Sequence, residues 1–212
     1  EGNFAIARGG WLTDFMDPSG LLSIFDSNNA YNDPNFYNLT FDGLLAEAQA
    51  TTDMAVHFAK LYEAQELFMT NMPIIPVYHY TDTMLASDNL TGWGRSVLGT
   101  VDFSRASLVD GGTNMDWNIG ADPATLDPGL NGASDGGDVI NQTFEGLVRE
   151  INGVVLPGVA ESWETSTDGL TVTFNLRDSQ WSDGSDLVAG DFVYGWLRGM
   201  DANTASEYSW IW

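Results

Sequence analysis

The chain has 212 residues, 43% of them hydrophobic and 12% aromatic, enough for a packed core and too apolar for wholesale disorder. Thirty acidic residues against seven basic ones leave a net charge of −23, which repels phosphate backbones and anionic lipid surfaces and argues against nucleic-acid and membrane partners. There is no cysteine, so disulfides, thiolate metal sites and cysteine nucleophiles are excluded, in keeping with an extracytoplasmic bacterial protein.

In chain order, residues 3–8 read as a short strand ending at Gly9-Gly10. Residues 11–38 are rich in Asp, Asn, Pro and Gly and read as ordered loops with one short helix near residues 21–25. Residues 42–50 read as a helix. Asp53 is the expected N-cap of a longer one reaching about Asn71. There Phe58, Leu61, Ala64 and Phe68 recur at helical spacing and share a face. Pro73 stops that helix, and residues 74–80 read as a buried strand.

Asp110-Gly111-Gly112-Thr113-Asn114 is small and polar and reads as a join. Beyond it the texture turns to β. Residues 115–119 read as a strand, and Asn152-Gly153 predicts a hairpin across 148–155. Residues 170–176 alternate with period two behind Asp168-Gly169. Asp191 is the expected cap of a last helix running to about Met200. No apolar run approaches the roughly 20 residues that a membrane helix needs. Glu1-Gly2-Asn3 lacks the basic start of a signal peptide, so the chain is expected to begin after processing or inside something larger.

Gly132-Ala133-Ser134-Asp135-Gly136 fits the G-x-S-x-G pattern of serine hydrolases. That motif needs a core strand before it, and Asp127-Pro128-Gly129-Leu130-Asn131 is not one. Both histidines, His57 and His79, precede the serine, against the usual hydrolase order. A glycine-rich loop is the better reading, and no enzyme is expected. Neither histidine has a partner at metal-ligand spacing, and the Asp135/Asp138 and Asp183/Asp186 pairs lack the calcium-loop pattern. Solvated turns are expected there, with no metal and no cofactor. Among the eight tryptophans, Trp163, Trp181 and Trp196 lie in regular elements and are expected in the core. Trp11 instead follows a double glycine and precedes Asp14. An aromatic and a carboxylate there make a pocket for a cationic group; a capping Asp beside a core Trp has the same pattern.

Several blocks carry a resemblance. Phe144-Glu145-Gly146-Leu147, Leu156-Pro157-Gly158-Val159-Ala160-Glu161-Ser162-Trp163, Trp181-Ser182-Asp183-Gly184, Asp191-Phe192-Val193-Tyr194-Gly195-Trp196 and Asp201-Ala202-Asn203-Thr204-Ala205-Ser206 resemble the N-terminal region of the oligopeptide/dipeptide solute-binding proteins of ABC importers. Ala7-Arg8-Gly9-Gly10-Trp11-Leu12-Thr13-Asp14 and Pro73-Ile74-Ile75-Pro76-Val77-Tyr78-His79-Tyr80 resemble that family's C-terminal region. The order is therefore inverted and the family's central part is missing. The resemblance implies an α/β chain, a mixed-sheet lobe of a type II periplasmic-binding-protein fold, permuted and truncated. Residues 1–109 and 117–212 are expected to be the two segments, 110–116 the join, and the whole one compact unit. Engineered permutation, a fragment spanning two tandem copies, and natural rearrangement are the three origins.

The resemblance further implies location outside the cytoplasmic membrane and a peptide ligand held extended by backbone pairing on both sides. An ABC permease is the implied partner, with the missing central region as a possible separate chain. By position Asp14 is the carboxylate for the ligand's α-amino group, Gly10, Trp11 and Leu12 the adjoining cleft strand, and Arg8 a cleft arginine. Gly132, Ala133 and Ser134 are the opposing segment, and Tyr208 a lining tyrosine. Gly132 stands where some peptide binders carry an acidic side chain. The alternative is an engineered or rearranged structural lobe that binds no ligand. On either reading the charge of −23 predicts self-repulsion that salt screens, so Tm should rise from low to moderate NaCl. A flat or falling Tm would show local ion pairs dominating.

Overall fold

In the computed structural model, which describes residues 6–81 and 83–211, helices and short strands are both present. Contacts gather the chain into two units, Glu1–Thr81 with Thr167–Leu170, and Asp82–Ser166 with Thr171–Trp212. The expected join, 110–116, lies within the second of these, and the division itself falls after Thr81. The cause is local: residues 82–109 pair among themselves in short ladders and contact the strands that follow them.

The first unit is a helical hairpin with a short helical segment against it. Helix α1 spans Ser19–Leu22 and continues into a 3-10 turn, Ser23–Phe25, where the short helix was expected. Helix α2 spans Leu39–Gln49. It begins three residues before the expected start because Asn38 caps it, accepting hydrogen bonds from the amides of Thr40 (3.0 Å) and Phe41 (3.2 Å). Helix α3, Met54–Asn71, is capped by Asp53 as expected. It ends at Met72, which takes a left-handed conformation (φ 48°) ahead of Pro73. Leu61, Ala64 and Phe68 are buried on the expected face, while Phe58 at its edge is 37% exposed. Phe68 meets Phe25, Phe36 and Phe41 at ring-centroid distances of 4.5, 5.4 and 5.7 Å. This aromatic cluster, with Leu22, Ile24, Leu45 and Ala48, is the unit's core.

Among its described residues the second unit holds eight strands in four two-stranded antiparallel ladders: β1 (Leu90–Thr91) with β4 (Ser107–Leu108), β2 (Gly94–Arg95) with β3 (Val101–Asp102), β5 (Val148–Ile151) with β6 (Val154–Pro157), and β7 (Ala160–Thr165) with β8 (Val172–Leu176). The expected mixed sheet is not assembled among the described residues. Each strand pairs with a near neighbour in sequence, whereas parallel pairing needs a crossover of about a dozen residues or more. Asn152 (φ 54°) and Gly153 (φ 79°) turn β5 into β6, as expected for a type I′ turn. In the β7–β8 ladder Trp163 lies opposite Phe174. Two helices complete the unit, α4 (Ser134–Thr143) and α5 (Ala189–Met200). Asp191 is the third residue of α5 rather than its cap, and its carboxylate reaches back to accept the Val188 amide at 2.8 Å.

Three expected strands differ. Residues 74–80 and 115–119 form no strand, and Ile75 and Val77 are 78% and 81% exposed. Neither segment pairs with a described strand, so no ladder fixes it. Residues 6–8 are irregular and Ile6 is exposed; the rest of the expected first strand, 3–5, lies outside the described residues. Trp163, Trp181 and Trp196 are 37–44% exposed rather than core; for Trp163 the reason is that the two-stranded β7–β8 ladder leaves a face uncovered.

Residues 73–81 and 83–87 carry neither helix nor strand, and Tyr78, Tyr80 and Leu85 are exposed. Limited chymotrypsin should therefore cut first at Tyr78, Tyr80 or Leu85, read by mass spectrometry of the first products. A first cut at 110–114 would restore the expected join as the weak point.

Candidate functional site

The nine residues expected to bind ligand fall into two groups, one in each unit. In the first, Arg8 donates to the hydroxyls of Tyr78 (3.4 Å) and Tyr80 (3.3 Å). The Tyr78 hydrogen bond raises the Arg8 pKa from its ordinary value, and the same bond lowers that of Tyr78. Gly10 lies against Tyr80, so that a Cβ there would sit 2.5 Å from its hydroxyl. Trp11 packs edge-on to Tyr31 at 4.8 Å. Leu12 is 61% exposed. Asp14 is exposed, in the bend that leads to α1. Tyr78 and Tyr80 were not singled out in the sequence. The signal is there: residues two apart in an extended segment share a side.

The Asp14 bend is anchored three residues on, at Asp17. Its carboxylate accepts from the Ser19 amide (2.9 Å) and hydroxyl (2.6 Å), and from His57 Nε2 at 3.0 Å. His57 Nδ1 donates to the Ala48 carbonyl at 2.8 Å. One imidazolium thus ties the bend to α2 and α3. The carbonyl of Ala48, then the Asp17 carboxylate, raise the His57 pKa. Burial pushes Asp17 up, but the Ser19 hydrogen bonds and His57 outweigh it and its pKa is lowered. A raised histidine stabilises below its unfolded pKa of about 6.5 and loses that contribution as pH rises through the folded value. A lowered aspartate stabilises above about 3.9 and loses it as pH falls. The pair is therefore strongest between about pH 4 and 6.5. The Tm of the parent minus that of His57→Gln should be larger at pH 5.5 than at pH 8.5; an unchanged difference would contradict the ion pair.

In the second unit, Ala133 precedes and Ser134 opens α4. The G-x-S-x-G serine thus does stand at a helix start, but residues 128–133 form no strand before it. Gly132 lies against Tyr208: a Cβ there would sit 3.3 Å from the ring and 3.5 Å from the Glu207 carboxylate. Tyr208 stacks on Trp210 at 6.0 Å. Gly132, Ala133, Ser134 and Tyr208 are therefore neighbours, as are Arg8 and Gly10 through Tyr80. A further cleft of about 830 Å³ in this unit, lined by Arg95, Val101, Phe103, Trp117 and Asp138 among others, was not anticipated. Apart from Asp138, its walls come from residues 83–118, a stretch with few long periodic runs. Burial, and then the neighbouring Asp135, raise the Asp138 pKa. Asp183 accepts from the Ser185 amide and hydroxyl and forms a turn. No group of three or more potential metal ligands, and no helix long and apolar enough to cross a membrane, occurs among the described residues.

Comparison with known proteins adds what the geometry lacks. Residues 154–212 match the family of bacterial extracellular solute-binding proteins, family 5 Middle. The oligopeptide-binding protein OppA of Bacillus subtilis (strain 168) is 44% identical over 102 residues, 47% of this chain and 19% of that protein. The probable deoxycholate-binding periplasmic protein YgiS of Escherichia coli (strain K12) is 42% identical over 95 residues, 44% of this chain and 18% of that protein. A crystal structure of Haemophilus influenzae OppA in complex with RPPGFSPFR is 41% identical over 43% of this chain and 18% of that one, with a TM-score of 0.43. The chain thus spans about a fifth of the length of the curated relatives it matches. The matched family and these relatives are solute-binding proteins, not enzymes.

Proposed function

We propose that this chain is a peptide-binding polypeptide of an ABC importer, working outside the cytoplasmic membrane. The observation that carries the reading is the roughly two-fifths identity, over about half the chain, to oligopeptide-binding proteins. An extended peptide pairs through its backbone, and Asp14 takes its α-amino group. Arg8, Gly10, Trp11 and Leu12 are the ligand-binding residues of the first unit, and Gly132, Ala133, Ser134 and Tyr208 those of the second. The exposure of Asp14 and the net charge of −23 both favour a cationic group at that end. The partner is a permease that accepts the peptide.

In this reading the first half of the chain derives from the family's C-terminal region and the second half from its N-terminal region. The central region is supplied separately or lost. In support, large apolar side chains of the second unit, among them Val155, Trp163, Tyr194 and Leu197, are exposed as if further polypeptide covered them.

Tryptophan fluorescence during titration with a pool of tri- to pentapeptides tests the reading, with deoxycholate as a parallel arm. Saturable change with peptide alone supports it. Change with deoxycholate alone moves the chain to a different ligand class. No change with either leaves a structural lobe that binds neither.

A further inference from the structure

The loop that carries Gly132 is held by many short ties. The Asp127 carbonyl accepts from the amides of Leu130 (3.1 Å) and Asn131 (2.9 Å), and its Oδ1 accepts from that of Gly129 (2.9 Å). Asn131 Nδ2 donates to the Ala133 carbonyl at 2.9 Å. Gly136, in the first turn of α4, sits so close that a Cβ would lie 2.8 Å from the Thr125 carbonyl. These ties are local. A long-range one comes from Arg198, in the last turn of α5. Its Nη1 donates to Asp127 Oδ1 at 2.7 Å and its Nη2 to Oδ2 at 2.6 Å. The fork also lies close to the backbone: a Cβ on Gly129 would meet Nη1 at 2.5 Å.

Beyond Arg198 the chain turns at Asp201, where the Thr204 amide donates to the Asp201 carbonyl at 2.9 Å. It returns to place Tyr208 against Gly132. The two partners of the fork therefore belong to the two sides of the Gly132–Tyr208 contact. Asp127 leads into the loop, and Arg198 leads into the segment bearing Tyr208. A bidentate pair fixes direction as well as distance, which a lysine in the same place does not.

We propose that the Asp127–Arg198 fork sets the position of Gly132-Ala133-Ser134 against Tyr208, making Asp127 and Arg198 positioning residues for that part of the ligand site. The structural half of the proposal stands on this geometry; the ligand half rests on the peptide-binding reading above. Both side chains are about one-third exposed (34% for Arg198, 33% for Asp127). Exposed pairs add little stability, so the effect is expected in geometry and affinity rather than in Tm.

The test compares the parent with Arg198→Lys, which keeps the charge and loses the fork, and Arg198→Gln, which loses both. The first readout, by NMR of the full chain, is the Gly132 Hα to Tyr208 ring contact together with the amide shifts of Ala133 and Ser134. Gly132, Ala133 and Ser134 are more than sixty residues from position 198 in sequence. The second is affinity for the peptide pool. Loss of the contact in both variants, with roughly tenfold weaker peptide binding and nearly unchanged Tm, is the expected result. A lower Tm with the contact and the affinity retained would overturn the proposal and make the pair merely structural. So would full affinity in Arg198→Lys, which would leave charge alone as the cause. If the parent binds no peptide but both variants lose the contact, the peptide reading fails and the positioning role of the fork stands. If the parent binds peptide and both variants bind it equally well, the positioning role fails and the peptide reading stands.

Discussion

Phe41→Ala is expected to remove about 3–5 kcal/mol from the first unit, the usual cost of deleting a buried phenylalanine. Phe41 is 0% exposed and lies between Phe36 and Phe68, at 5.3 and 5.7 Å. The unit is a body of roughly 85 residues, whose whole stability at about 0.05–0.15 kcal/mol per residue is of the same order. Urea unfolding followed at 222 nm should show the α2–α3 hairpin lost at far lower denaturant than in the parent. Phe58→Ala is the control. It lies on the same apolar stripe of α3 but is 37% exposed, and should cost about 1 kcal/mol or less. Equal effects of the two changes would show that the aromatic cluster is not the core.

Asp14→Asn should weaken peptide binding at least roughly tenfold while leaving the first unit folded. A charge-assisted hydrogen bond to an ammonium loses most of its strength when the carboxylate becomes an amide, and the loss is moderated by solvent at an exposed position. The substitution is nearly isosteric, so packing is spared. The Asp17–His57 tie, three residues on, keeps the bend in place in both proteins. Calorimetry against one pentapeptide reads the change. A lower Tm with unchanged affinity would reduce Asp14 to a loop residue.

The helices were legible because their signals are local. Asp53 caps α3 where expected, the spacing of Leu61, Ala64 and Phe68 gives its buried face, and Asn152-Gly153 turns a hairpin. The expected strands at 74–80 and 115–119 were not realised, because a strand needs a partner and alternation says nothing of whether one is present. Residues 132–136 show the opposite error. They were expected to be a glycine-rich loop, yet from Ser134 onward the chain is helical, its first turn packed against Thr125 and Asn131. At the site, Gly132 and Tyr208 were named from resemblance and are neighbours. Tyr78 and Tyr80 around Arg8, His57 on Asp17, and Arg198 on Asp127 were not. Each of these pairs joins residues 40 or more positions apart, a separation that no short sequence window spans.

The central claim is that the chain holds a peptide by its free α-amino group. Isothermal titration of the unaltered chain with one pentapeptide, and with the same pentapeptide N-acetylated, tests it most directly. One free peptide bound per chain, with at least roughly tenfold weaker binding of the acetylated form, is the predicted result. Equal affinity for the two forms would contradict it.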